Sequence, residues 1–200
     1  TRSNFRADIT LHDVYGGQTT PENFSLICRP LSQSFDEGSG RDVVTFSDIG
    51  NANYVTASYS DGLVYSWNTQ GASASGSLGD VNIDVISSGT LSGSSGEETI
   101  SLSSEQYFIT GEEDLEVDVT KVISGTVTNQ INDHGFVIEY SSSYAEDNKS
   151  YFVKRFASRN ASRSDLFPKL VVRYNDAIID NHQNFFFNVS GSLFLHNTTR

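Results

Sequence analysis

LEVDVTKVISGTVTNQ at 115–130, DHGFVIEY at 133–140, KSYFVKRFASR at 149–159 and LFPKLVVRY at 166–174 form a run of short apolar segments bounded by polar turns. In the first, Leu115, Val117 and Val119 alternate with Glu116 and Asp118. Successive side chains of a strand point to opposite faces, so the apolar residues belong to a core and the two carboxylates share an outer surface. The period then changes: Val119, Val122, Ile123 and Val127 make a stripe at helical spacing, and Asp118 or Thr120 offers an oxygen to the first free amides. The spacing predicts one short helix over 120–128, which Gly125 limits to a turn or two. Each later segment predicts a strand.

Toward the N-terminus the same pattern continues. Phe5, Ala7, Ile9 and Leu11 alternate with polar residues, and the turn at Tyr15, Gly16 and Gly17 leads into an apolar run over 24–31. Further strands are predicted over 42–46, 53–59, 63–67, 81–86, 99–102 and 106–109, all short and separated by Gly, Ser, Asn or Asp. Many short strands joined by such turns favour an all-β sandwich or jelly roll. Two Ser/Gly-rich connectors, 71–79 and 87–96, are too poor in apolar residues to hold a core and read as mobile loops.

Composition narrows the function. At 200 residues and 36% hydrophobic content the chain can bury one sizeable core. A net charge of −12 disfavours nucleic acid, whose backbone is held by clustered Lys and Arg. No stretch is apolar for long enough to predict a membrane-spanning helix, so no membrane insertion is expected. The single cysteine, Cys28, has no internal partner and is expected to be a buried, inert thiol. The absence of Met and the opening Thr1 suggest a piece of a longer protein.

The layout of the 115–174 region resembles the C-terminal half of DNRLRE-type jelly-roll domains, which share their fold with a class of carbohydrate-binding modules. SFDEGSGR at 34–41 is similar to the aromatic-Asp-Glu-Gly-Ser/Thr-Gly loop of those domains. Tyr65-Ser66-Trp67-Asn68 followed by Gly71-Ala72-Ser73 is similar to their aromatic loop and glycine segment, although the namesake motif itself is absent. LSQSFDEG at 31–38, TGEEDL at 110–115 and SGSLFL at 190–195 resemble virion structural proteins of tailed phages of the marine T4-like kind. The resemblance implies a jelly-roll β-sandwich over 2–174 with one short helix; beyond it, the turn at Asn175-Asp176 and the aromatic-rich run that follows predict over 175–200 a C-terminal β extension or docking hairpin, or the start of a second β domain. The resemblance also implies a non-enzymatic module of the neck, baseplate, fibre or shell, located in the virion and contacting other virion proteins or copies of itself.

Two kinds of site are suggested by the residues themselves. Tyr54, Tyr59, Tyr65 and Trp67 fall on adjacent predicted strands, where exposed rings stack on a sugar while Asn68 or Asp61 bonds its hydroxyls; the competing reading places the rings in the core. This makes a carbohydrate-binding module of a secreted or cell-surface glycan-processing protein the alternative function, with a surface glycan as partner. Glu112, Glu113 and Asp114 with Glu116 and Asp118, or separately Asp36 and Glu37, offer the hard oxygens that Ca²⁺ prefers, without the spacing of an EF-hand; the competing reading is a solvated acidic face. Apart from this structural Ca²⁺, no cofactor is expected. The four His residues lack zinc spacing, and neither a nucleophile elbow nor a phosphate-binding loop occurs, so no catalytic residue is assigned. Lys154, Arg155, Arg159, Arg163 and Lys169 form a basic stretch whose two readings are pairing with the acidic 112–118 region of a neighbouring copy and charge balance within the chain.

Overall fold

The computed structural model describes residues 5–14, 22–38, 50–92, 99–141 and 153–175. The predicted strand at 42–46, the turn at 15–17 and the segment 176–200 lie outside them. The fold is all-β: β1 (Arg6–Leu11), β2 (Phe24–Pro30), β3 (Thr56–Ser60), β4 (Leu63–Ser66), β5 (Ser75–Ser77), β6 (Val85–Gly89), β7 (Ile100–Ser101), β8 (Ser104–Phe108), β9 (Leu115–Asp118), β10 (Phe136–Tyr140) and β11 (Lys169–Arg173). A single α-helix among the described residues, α1 (Thr120–Val127), follows β9 as its period predicts.

Two antiparallel sheets face each other, β11-β1-β9 and β10-β2-β8. Alternation builds the layer between them. Phe24, Leu26 and Cys28 of β2 turn inward with Phe108 of β8, and they meet Ala7 of β1 and Leu115 and Val117 of β9 in one core. Glu116 and Asp118 alternate outward, as the pattern requires. Phe24 lies directly across from Phe108, with rings stacked at 4.9 Å, and the Tyr140 ring meets Phe24 edge-on at 5.8 Å. Burying each of the two Phe rings contributes about 1.5–3 kcal/mol. Cys28 is buried at 1% exposure, and that burial pushes its thiol up to about 12.

Helix α1 closes one end of the sandwich. Val122 joins Ile86, Leu91, Leu102 and Ile131 in a second cluster. At Gly125 any Cβ would stand 2.7 Å from the Ile131 side chain, so the glycine is a packing requirement. The Asp118 carboxylate accepts the Thr120 amide at 2.8 Å, while the Thr120 hydroxyl turns to β1 and accepts the Ala7 amide at 2.9 Å. Asn129, at φ 56°, ends the helix in the left-handed region.

A side layer is attached where β2 ends. Pro30 has no amide to continue the ladder, and Leu31 bridges to Val85 while Ser32 donates to the Asp84 carbonyl at 2.8 Å. Here β5, β6 and β7 form a small sheet, with β5 parallel to β6 and β7 antiparallel to it. Four expectations are corrected here and nearby. The strand predicted over 81–86 begins only at Val85 and runs on to Gly89, because Asp84 is held by other backbone amides. The connector 71–79 is no free loop: Ala72 is buried with Leu31 and Val85, and Ser75–Ser77 is a strand. Part of the connector 87–96 likewise belongs to β6. Glycine explains the tolerance, since a Cβ at Gly76 or Gly89 would come within 2.6 Å of Ile83 or Leu78. Finally, the described part of the 149–159 segment makes an isolated bridge, Asp13 to Phe156, instead of a full strand.

Candidate functional site

The aromatic residues gather on a β3–β4 hairpin. Its turn, Asp61 and Gly62, has positive φ at both positions, the geometry that matches strand twist in a two-residue hairpin. Tyr59 pairs with Val64 and Ser58 with Tyr65, so Tyr59 and Tyr65 occupy opposite faces of the ribbon. Tyr54 is 67% exposed, and its ring lies against Gly71, where an added Cβ would meet it at 3.0 Å. Trp67 is tethered instead: its indole N–H donates to the Asn53 carbonyl at 2.8 Å, and its ring packs on the cluster of Leu31, Ala72 and Val85. Asn68 is also engaged, donating from its side chain to the Ile83 carbonyl at 3.0 Å and to Asp84 at 3.2 Å. Tyr54, Tyr59 and Tyr65 thus remain exposed on the hairpin and its flank, while Trp67 and Asn68 are tied to neighbouring backbone and to Asp84.

The organising residue of this region is one that pattern reasoning passes over. Asp84 is fully buried, and its carboxylate accepts from Gln33 at 3.0 Å, from the Asn68 backbone and side chain at 2.7 and 3.2 Å, and from the Thr69 and Ala74 amides at 2.9 and 3.1 Å. Charge-assisted bonds of this kind are the strong ones, and together they compensate the loss of water. Asp84 thereby gathers the ends of the 67–84 loop beneath the hairpin. Its only sequence signal is a lone Asp between Ile83 and Val85, where a core-facing residue is otherwise expected.

Of the acidic residues proposed for Ca²⁺, Asp36, Glu37, Glu113 and Asp114 are separately engaged. Glu37 pairs with Arg159 at 2.6 Å, and the Asp36 carboxylate accepts the Tyr59 amide at 2.5 Å. Glu112 is exposed. Glu113 accepts the Ile109 and Thr110 amides at 2.9 and 2.8 Å, and Asp114 accepts the Asp13 amide at 2.7 Å and meets His12 at 2.8 Å. Partial burial pushes the Glu113 carboxyl up, but the amide donors of Thr110 and Ile109 outweigh it and bring it down to about 2. Asp114 is lowered in the same manner, burial being opposed by the Asp13 amide and His12. Among the described residues no three His, Cys, Asp or Glu side chains converge on one point where a cation would sit.

A cation does reach this loop, and it is covalently part of the chain. The Lys154 ammonium is buried to 2% exposure and donates to Asp13 at 2.5 Å and to the Gly111 and Glu113 carbonyls at 2.8 and 2.9 Å. The remaining basic residues find partners nearby: Arg163 with Asp165 at 2.5 Å and Lys169 with the Asp165 carbonyl at 3.1 Å. On sheet β11-β1-β9, Arg6 and Arg173 flank the buried Asp8 at 3.0 and 2.5 Å.

No helix among the described residues is long and apolar enough to cross a membrane. The chain matches no family model, and comparison with curated proteins and with solved structures gives no significant match either.

Proposed function

We propose that the chain is a non-enzymatic module of a tailed-phage virion structural protein, part of a neck, baseplate, fibre or shell, that mediates assembly or attachment. The observation that supports this most directly is the β3–β4 hairpin, where Leu63 and Val64 are 60% and 58% exposed and Tyr65 is exposed on the face opposite Val64. A ribbon apolar on both faces is left uncovered among the described residues, and such surface marks a contact site. Strand β4 also leaves one edge open, since its sheet consists of β3 and β4 alone among the described residues. The winding supports the same reading, because β1 and β2, β8 and β9, and β10 and β11 alternate between the two facing sheets in the manner of a jelly roll. Antibodies raised against the chain should decorate purified phage particles at symmetry-related positions. Particles that lack the chain, or a monomer that turns over substrate, would overturn the proposal.

The second reading, a carbohydrate-binding module, is favoured by Tyr54, whose exposed ring is held in place on Gly71. A fixed aromatic face binds a sugar ring at low entropic cost. Wild-type protein should then bind a subset of an array of purified glycans, and Tyr54→Ala should lose that binding. A wild-type protein that binds none removes this reading.

A further inference from the structure

Just beyond β1 the chain runs beside the 153–157 segment. Asp13 bridges Phe156, Val14 donates to the Arg155 carbonyl at 3.1 Å, and Ala157 donates to the His12 carbonyl at 2.9 Å. This registration sets Lys154 against Asp13, with Nζ 2.5 Å from Oδ1. Both backbones are fixed from outside the pair: the Tyr140 hydroxyl accepts the Lys154 amide at 2.9 Å, and the Asp114 carboxylate accepts the Asp13 amide at 2.7 Å. The Phe108 and Phe156 rings wall the junction, with centroids 5.2 and 5.1 Å from Nζ. Water is therefore largely shut out from the nitrogen.

We propose that Lys154 and Asp13 condense into an intramolecular isopeptide bond. The ion pair already contains every atom required. A proton moves from the ammonium to the carboxylate, giving a neutral amine and a neutral acid with no proton drawn from solvent. Two N–H groups stay on the Gly111 and Glu113 carbonyls, which turns the nitrogen's electron pair toward Asp13 Cγ. Attack forms the C–N bond, the nitrogen's surplus proton passes to the former carboxyl hydroxyl, and that group leaves as water. The products are one amide and one water, with no oxidant or reductant. In bulk water the reverse reaction wins, but groups held at contact distance act at an effective concentration on the order of 10⁵–10⁸ M, and the released water leaves a site walled by aromatic rings.

The test is the intact mass of the purified chain under denaturing conditions, followed by peptide mapping. The wild type should be lighter than its sequence by one water, and digestion should yield a branched peptide joining residue 13 to residue 154. Lys154→Arg and Asp13→Ala should each show the full sequence mass. A wild type at full mass overturns the proposal, as does a missing water that maps elsewhere or persists in Lys154→Arg. Should either variant fail to fold, the wild-type mass and branched peptide decide the matter by themselves.

Discussion

The two-layer sandwich and the side layer that carries the hairpin are stabilised by opposite means. Between the facing sheets, side chains of Phe24, Leu26, Phe108, Leu115 and Val117 interdigitate, and stability follows the apolar area removed from water. In the side layer the strands are short, β4 is exposed along its whole length, and the centre is the Asp84 carboxylate surrounded by N–H donors. Apolar packing tolerates loss by degrees. A polar hub is less forgiving, because a buried donor left without an acceptor costs more than a typical hydrogen bond contributes.

Phe108→Ala should have the largest effect, a loss of about 3–5 kcal/mol, since it opens a cavity between the sheets. Its denaturant midpoint should fall for probes in both regions together, and a drop confined to the side layer would mean that the sandwich does not depend on this ring. Asp84→Asn should cost about 1–3 kcal/mol, because one of the two oxygens becomes an NH₂ group facing donors. Hydrogen exchange should then quicken over 67–84 well before it does in β1 and β2, whereas equal loss of protection in both would remove the distinction.

Acid should produce a smaller effect with a definite window. The folded-state value of Glu113 lies below its ordinary 4.5, at about 2, so its contribution is complete above 4.5 and is lost as pH falls toward 2. Asp114 and Asp118, both lowered from 3.8, add to the same decline, Asp118 through its bonds to Thr120. Melting temperature should therefore fall across this range in the wild type and fall less steeply in Glu113→Gln. Identical slopes would dissociate the 109–114 loop from acid stability. Least of all, Leu63→Ser should change stability by no more than about 0.5 kcal/mol, as expected for a surface position. If it unfolds the chain, the hairpin is part of the core and not a contact surface.

The parts of the fold that could be inferred from sequence are those governed by periodicity. The alternation of 115–119 and the helical stripe after it gave β9 and α1 almost to the residue, and the run at 24–31 gave β2. Periodicity fails in the Ser/Gly connectors, where β5 and β6 form around glycines that allow close backbone approach and around one carboxylate that collects amides. Neither signal depends on hydrophobicity. The proposed site residues divide along the same line. Exposure of Tyr54, Tyr59 and Tyr65 fits a surface role, but Trp67 and Asn68 are bound to backbone and Asp84 partners far along the chain, which residue type alone cannot reveal. Contacts still more remote in sequence engage the acidic segments, Arg159 on Glu37 and Lys154 at the 111–114 loop.

Strands β1 and β11 lie antiparallel with Arg6 opposite Arg173, so the chain enters and leaves the sheet side by side. Tension applied through the flanking polypeptide would open this ladder one rung at a time, from Arg6 toward Thr10, instead of shearing all its hydrogen bonds at once. Such peeling needs little force per step. The junction of Asp13 with Lys154 stands immediately beyond the last rung, where a covalent stop would halt the zipper and spare the interior from mechanical load.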